Sequence, residues 1–204
     1  MNSAREEILN RLKNSVHPEP EQPDFDAPVY FPIDQPLELA FKENLEKVNG
    51  SVHLYPSEKE LFRGIKTLLS VYTKETIICN ESVLQKQLNR YSVPYSVVDK
   101  LPSETEVGIT SCEFLVAHTG SVMVSSALGG GRQLSVYPPV HIVIAGKAQI
   151  VDYLKTAYSE IQNKYKNELP SQITLITGPS RTADIEKTLV MGAHGPRELH
   201  VFIY

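Results

Sequence analysis

From Leu37 onward, short apolar runs alternate with segments whose apolar residues recur at helical spacing, which restricts the chain to α/β architectures. Leu37–Lys47, Glu58–Val71 and Glu81–Arg90 carry the helical period, and Leu61, Ile65 and Leu68 share one face of the second. Between and after them, Val52–Tyr55, Thr76–Cys79 and Tyr95–Val98 read as short strands. Strands joined through helices pair in parallel, so the pattern predicts a mostly parallel sheet flanked by helices. The middle is β-rich: Val107–Thr110, Phe114–Ala117, Ser121–Ser125 and Val140–Ala145 follow with few helical residues between them. Lys147–Lys166 then reads as one long helix, Gln172–Thr177 as a strand, Thr182–Met191 as a helix and Leu199–Tyr204 as a final strand.

The part before this pattern is different. Ser3–Lys13 predicts a short helix capped by Ser3, with Ile8, Leu9 and Leu12 on one face. Pro18, Pro20, Pro23, Pro28, Pro32 and Pro36 follow, and proline, which fixes φ and lacks a donor, rules out a regular helix there. The expected organisation is an N-terminal helix and proline-rich arm over 1–36 and one domain over 37–204. The arm lies on its own domain or reaches a partner subunit. With 204 residues, one large domain is expected.

The net charge of −4 argues against broad nucleic-acid or anionic-membrane binding, which needs a basic face. No run approaches the ~20 apolar residues of a membrane span. The charged N-terminus lacks the apolar core of a signal peptide, so a cytoplasmic protein is expected. Cys79 and Cys112 lie among strand-forming residues and read as buried free thiols. Two cysteines fall short of the four ligands usual for an iron–sulfur cluster. No HExxH or Cys/His cluster marks a metal site, so no metal is expected. GxSxG, GxGxxG and GxxxxGK[ST] are also absent.

Four constellations remain as candidate chemistry. The apolar run from Ile173 leads into Gly178-Pro179-Ser180 and then an expected helix, with Ser180 or Thr182 as N-cap and Arg181 as a fork for a carboxylate. Strand ends in open α/β sheets bind ligands, and free N–H groups there favour anions. Asp184 suits a hydroxyl or a cation, whereas Glu186 complements the helix dipole. Second, His194 lies between Gly192 and Gly195-Pro196, on a loop where it can exchange protons. Third, Thr119-Gly120-Ser121 is either a β-turn or a source of hydroxyls for a ligand. Fourth, Gly129-Gly130-Gly131 allows close backbone approach, with Arg132 as a second anion clamp and His141 following. Glu113, next to Cys112 before an apolar run, is either a candidate carboxylate or a solvated residue.

His-Thr-Gly-Ser at 118–121, Arg132 with Pro139 and His141, the run Thr177–Glu186 and Gly-Ala-His-Gly-Pro at 192–196 together resemble the LutC/YkgG family of LUD-domain proteins. The resemblance implies a single LUD domain with a fold like that of the ribose-phosphate isomerase and CoA-transferase group. It also implies a subunit of an L-lactate utilization system that converts lactate to pyruvate with two iron–sulfur partner proteins. The clusters would then sit in those partners, with none in this chain, and the expected ligand is a small carboxylate or hydroxy acid. The candidate catalytic residues are His194 and Asp184; the candidate ligand-binding residues are Thr119, Gly120, Ser121, Arg132, His141, Gly178, Ser180, Arg181, Thr182 and Gly195. Two alternatives stay open: an independent enzyme on a phosphorylated or CoA-ester small molecule, and a non-catalytic assembly or regulatory module. Oligomer formation is compatible with either.

Overall fold

In a computed structural model of the chain, residues 3–15, 22, 32–166, 168–182, 190–192 and 194–204 are described. Met1–Pro32 and Ile33–Tyr204 form separate units. In the first, helix α1 (Ala4–Asn14) begins at a reciprocal cap, with the Glu6 N–H donating to Ser3 Oγ and the Ser3 N–H donating to Glu6 Oε2. Within its own unit, α1 leaves Ile8, Leu9 and Leu12 exposed.

The second unit runs α2 (Leu37–Lys47), β1 (Ser51–Leu54), α3 (Glu58–Leu69), β2 (Ile77–Ile78), α4 (Ser82–Arg90), β3 (Val107–Thr110), β4 (Phe114–Val116) and β5 (Ser121–Ser125). It continues with β6 (Val140–Ala145), β7 (Ile150–Val151), α5 (Leu154–Tyr165), β8 (Ile173–Ile176), β9 (Arg181–Thr182), β10 (Val190–Met191) and β11 (Glu198–Ile203). Five strands pair in the order β1-β11-β6-β3-β2, every pair parallel. The β-rich middle builds a second sheet, β7-β4-β5-β8, in which β4–β5 and β5–β8 are antiparallel.

The burial explains this order. Every residue of β3 and β6 is buried, as expected for strands covered on both faces. On one face, Leu61, Phe62 and Ile65 of α3 and Leu88 of α4 pack on Ile109, Ile142 and Phe202. On the other, Phe41 and Leu45 of α2 meet Val143, Val201, Leu115 and Val122, joining the two sheets through one core. Ala157 and Ile161 of α5 cover the second sheet at Val116 and Met123. The α/β class with a mostly parallel central sheet therefore stands. No helix among the described residues is long and apolar enough to cross a membrane.

Three expected elements differ. The helix over Lys147–Lys166 is divided, because Ile150 and Val151 pair with Leu115 and Val116 before α5 starts at Leu154. The strand at Tyr95–Val98 is reduced to a single bridge from Ser96 to Ile78. The ends of the expected helix over Thr182–Met191 are strands instead: β9 and β10 pair antiparallel, Thr182 with Val190 and Arg181 with Met191. Residues 183–189 lie outside the described residues.

Candidate functional site

The carboxyl ends of β2, β3, β6 and β11 open onto a cavity of about 590 Å³. Its charged and polar wall comes from Glu81 at the start of α4, Ser111 after β3, and Lys164 and Tyr165 at the end of α5. Short apolar strands feeding directly into turns bring Glu81 and Ser111 to one edge of the sheet, and the end of α5 supplies Lys164 and Tyr165.

Glu81 occupies the N-cap position of α4 but its side chain does not cap the helix. It turns to Ser111 instead, accepting from the backbone N–H at 3.1 Å and from Oγ at 2.5 Å. Glu81 is only 4% exposed. Burial, reinforced by the charge of Glu113, pushes its carboxyl up to about 7 against the pull of the Ser111 bonds. Among the described residues no cation pairs with it. Glu113, by contrast, is buried against a cation: Oε2 lies 2.7 Å from Lys164 Nζ, while Oε1 accepts from Tyr165 Oη at 2.7 Å and Ser125 Oγ at 2.5 Å. Burial works to lower the Lys164 pKa, but the hydrogen bond and charge of Glu113 outweigh it and leave it raised. Glu113 is therefore no solvated carboxylate; just before β4, it is buried against Ser125, Lys164 and Tyr165.

The glycine loop lies against Glu81. A Cβ on Gly130 would lie 3.1 Å from Glu81 Oε1, so a side chain there would press on the carboxylate. Thr110 lies beside the same loop, and its Oγ1 is 2.8 Å from His141 Nε2. His141 is fully buried, which pulls its pKa down to about 4, and its Nδ1 has no hydrogen-bond partner among the described residues. Cys79 and Cys112 are buried free thiols, with burial pushing Cys79 up to about 12 and Cys112 higher. Neither is a thiolate at neutral pH.

The other candidates fall into separate groups. Thr119 Oγ1, Ser121 Oγ and Thr177 Oγ1 form a hydroxyl chain with 2.7 Å at each step. Its glycines pack on α2: a Cβ on Gly120 would lie 2.3 Å from Leu45 N, and one on Gly178 would lie 2.6 Å from Val48 O. Ser180 does not cap a helix. Its N–H donates to Pro196 O, its carbonyl accepts from Gly192 N–H, and its Oγ accepts from His194 N–H at 3.3 Å. Gly195 lies against the same Ser180 side chain. Arg132 donates to Ser171 Oγ at 2.7 Å, and Arg181 is exposed on β9. Asp184 and the Thr182 side chain lie outside the described residues.

Glu81, Ser111, Lys164 and Tyr165 are thus the site residues that motif reasoning passes over. The signal for Glu81 is its place shortly after the apolar strand expected over Thr76–Cys79, the same strand-end logic that singled out the end of β8. That logic belongs to parallel strands, and β8 pairs antiparallel.

Comparison with known proteins is consistent with this architecture. A Deinococcus radiodurans protein described as a DUF162 family member superposes with a TM-score of 0.62, covering 82% of this chain and 95% of that one at 18% identity. An uncharacterized protein of Neisseria meningitidis serogroup B is 27% identical over 97% of this chain and 91% of its own length. Lactate utilization protein C of Bacillus subtilis is 40% identical over 99 residues, and that of Halalkalibacterium halodurans 38% over 95 residues. The match spans 41% of the length of each of these two relatives. The LUD domain model matches residues 39–204, nearly all of the second unit, and the chain belongs to the LUD-domain family.

Proposed function

We propose that this chain is a subunit of an L-lactate utilization system that converts lactate to pyruvate together with two iron–sulfur proteins. The observation that carries the reading is its similarity to proteins named Lactate utilization protein C, at 33–41% identity in each of those compared. Oxidation of a 2-hydroxy acid to a 2-oxo acid removes two protons and two electrons. Two cysteines are too few to ligate a cluster in this chain, so the electrons are assigned to the clusters of the partners. The contribution of this chain is then to bind a small carboxylate and handle protons.

Deleting the gene should abolish growth on L-lactate while leaving growth on pyruvate intact. Purified chain combined with the two partners should form pyruvate from lactate in the presence of an electron acceptor. Unchanged growth on lactate in the deletion strain would refute this reading.

A further inference from the structure

We propose that the strand-end cavity is the binding site for the hydroxy acid and its oxo-acid product, with Lys164 taking the ligand carboxylate and Glu81 facing the hydroxyl or keto oxygen. This assignment rests on the lactate-utilization reading for the identity of the ligand, and moves the site away from the loops around Ser180 and His194.

Two cavities of similar volume compete for the assignment. One, of about 600 Å³, is bounded by Lys74, Asn89, Tyr95 and neighbouring residues, with no carboxylate in its lining. The other, at the carboxyl ends of the parallel strands, has a buried acid and a cation in its wall. Burying a carboxylate costs several kcal/mol unless a cation or strong hydrogen bonds offset it. Glu113 has its lysine, but among the described residues Glu81 has only Ser111. Stability does not require an acid there, since an apolar or amide side chain would avoid the cost, and a ligand gives it a purpose.

The cation is placed for an incoming anion. The Lys164 side chain is 51% exposed while still 2.7 Å from Glu113, and an ammonium has three donors, of which Glu113 occupies one. Ser82, Val83 and Leu84 of the first turn of α4 also line the cavity, and no side chain caps that helix. In the proposed pose the ligand carboxylate sits between Lys164 and this turn, with the neighbouring oxygen of the 2-substituted acid toward Glu81.

The two ligands then differ in what they require. A hydroxyl can donate to Glu81 or accept from it, so it is served by either protonation state. A keto oxygen can only accept, so it needs the protonated acid. With the Glu81 carboxyl pushed up to about 7, the protonated fraction falls about tenfold between pH 6 and pH 8. Pyruvate binding should weaken by about that factor over this range, and L-lactate binding by clearly less.

The test is titration of the isotope-labelled full chain with L-lactate and with pyruvate at pH 6 and pH 8, following backbone amide signals. Shifts are expected at Ser82–Leu84 and Ser111, with the pyruvate Kd rising about tenfold between the two pH values. Glu81→Gln donates and accepts at every pH, so in the variant the pyruvate Kd should no longer change between pH 6 and pH 8. Thermal unfolding of the variant checks that it is folded. Absence of saturable binding, shifts confined to residues 192–196, or an unchanged pyruvate pH dependence in E81Q would each overturn the proposal. If binding fails but the deletion strain cannot use lactate, the site assignment falls and the lactate reading stands. If binding behaves as described and the deletion strain grows, the site stands and the lactate reading falls.

Discussion

Glycines at positive φ do unequal work in this chain, and the difference separates structural positions from permissive ones. Gly120 has φ +63, and its missing Cβ would fall 2.3 Å from the backbone nitrogen of Leu45. Gly131 has φ +70, and among the described residues nothing lies within 4 Å of where its Cβ would be. Alanine at either position meets the left-handed penalty of about 1–2 kcal/mol. At Gly120 it also forces the 118–121 turn away from α2, adding about 1–3 kcal/mol of overpacking. Urea unfolding should therefore show Gly120→Ala losing about 2–5 kcal/mol and Gly131→Ala only about 1–2 kcal/mol. Equal losses would mean that the contact with α2 is not what fixes glycine at position 120. The same reasoning gives Gly120 and Gly178 a packing role, since the Cβ position of each is filled by Leu45 or Val48.

At the scale of elements, α2 acts as a clasp on the turns of the second sheet. Asn44 Nδ2 donates to Ala117 O at 2.9 Å and to His118 O at 3.2 Å, across more than seventy residues of sequence. Asn44→Ala leaves both carbonyls without this donor and should cost about 1–3 kcal/mol, read from the midpoint of chemical unfolding. A loss within error of zero would show that water replaces the amide at no cost. Such long-range contacts also explain what the sequence could and could not disclose. The strands β3, β5 and β6 were legible because burial on both faces leaves near-continuous apolar runs, and α2 and α3 because their periodic faces are strong. The break at Ile150–Val151 was hidden, because pairing with β4 overrides a local pattern compatible with helix. The site was less legible still. The partners of Glu81 lie 30 residues away, and those of Glu113 lie 12, 51 and 52 residues away, so no spacing motif announces them. The glycine run at 129–131, read as backbone able to approach a ligand closely, lies beside Glu81, where a Cβ on Gly130 would fall 3.1 Å from Oε1.

At the scale of the whole molecule, two buried groups act on stability in opposite directions as pH changes. His141 has its pKa lowered to about 4, so between about pH 4 and its ordinary value of 6.5 the unfolded chain binds more protons than the folded one. Stability from this group is present above that window and is lost as pH falls through it. Glu81 has its carboxyl raised to about 7 from an ordinary 4.5, so within that window the folded chain holds the extra proton. Its effect is a loss of stability as pH rises from 4.5 to about 7. Between about pH 4.5 and 6.5 the two slopes oppose each other and the intact protein should show a shallow profile. Glu81→Gln separates them. Its amide can accept from the Ser111 N–H and donate to Ser111 Oγ, and it never bears a charge. At pH 4 the variant should match the parent within about 0.5 kcal/mol, and at pH 8 it should be more stable by about 1–3 kcal/mol. Urea midpoints at the two pH values give the comparison directly. A gap that does not widen with pH would show that Glu81 ionises in the folded chain as easily as in water. A widening gap, together with loss of the pyruvate pH dependence, would identify Glu81 as an acid kept for its ligand at the expense of stability.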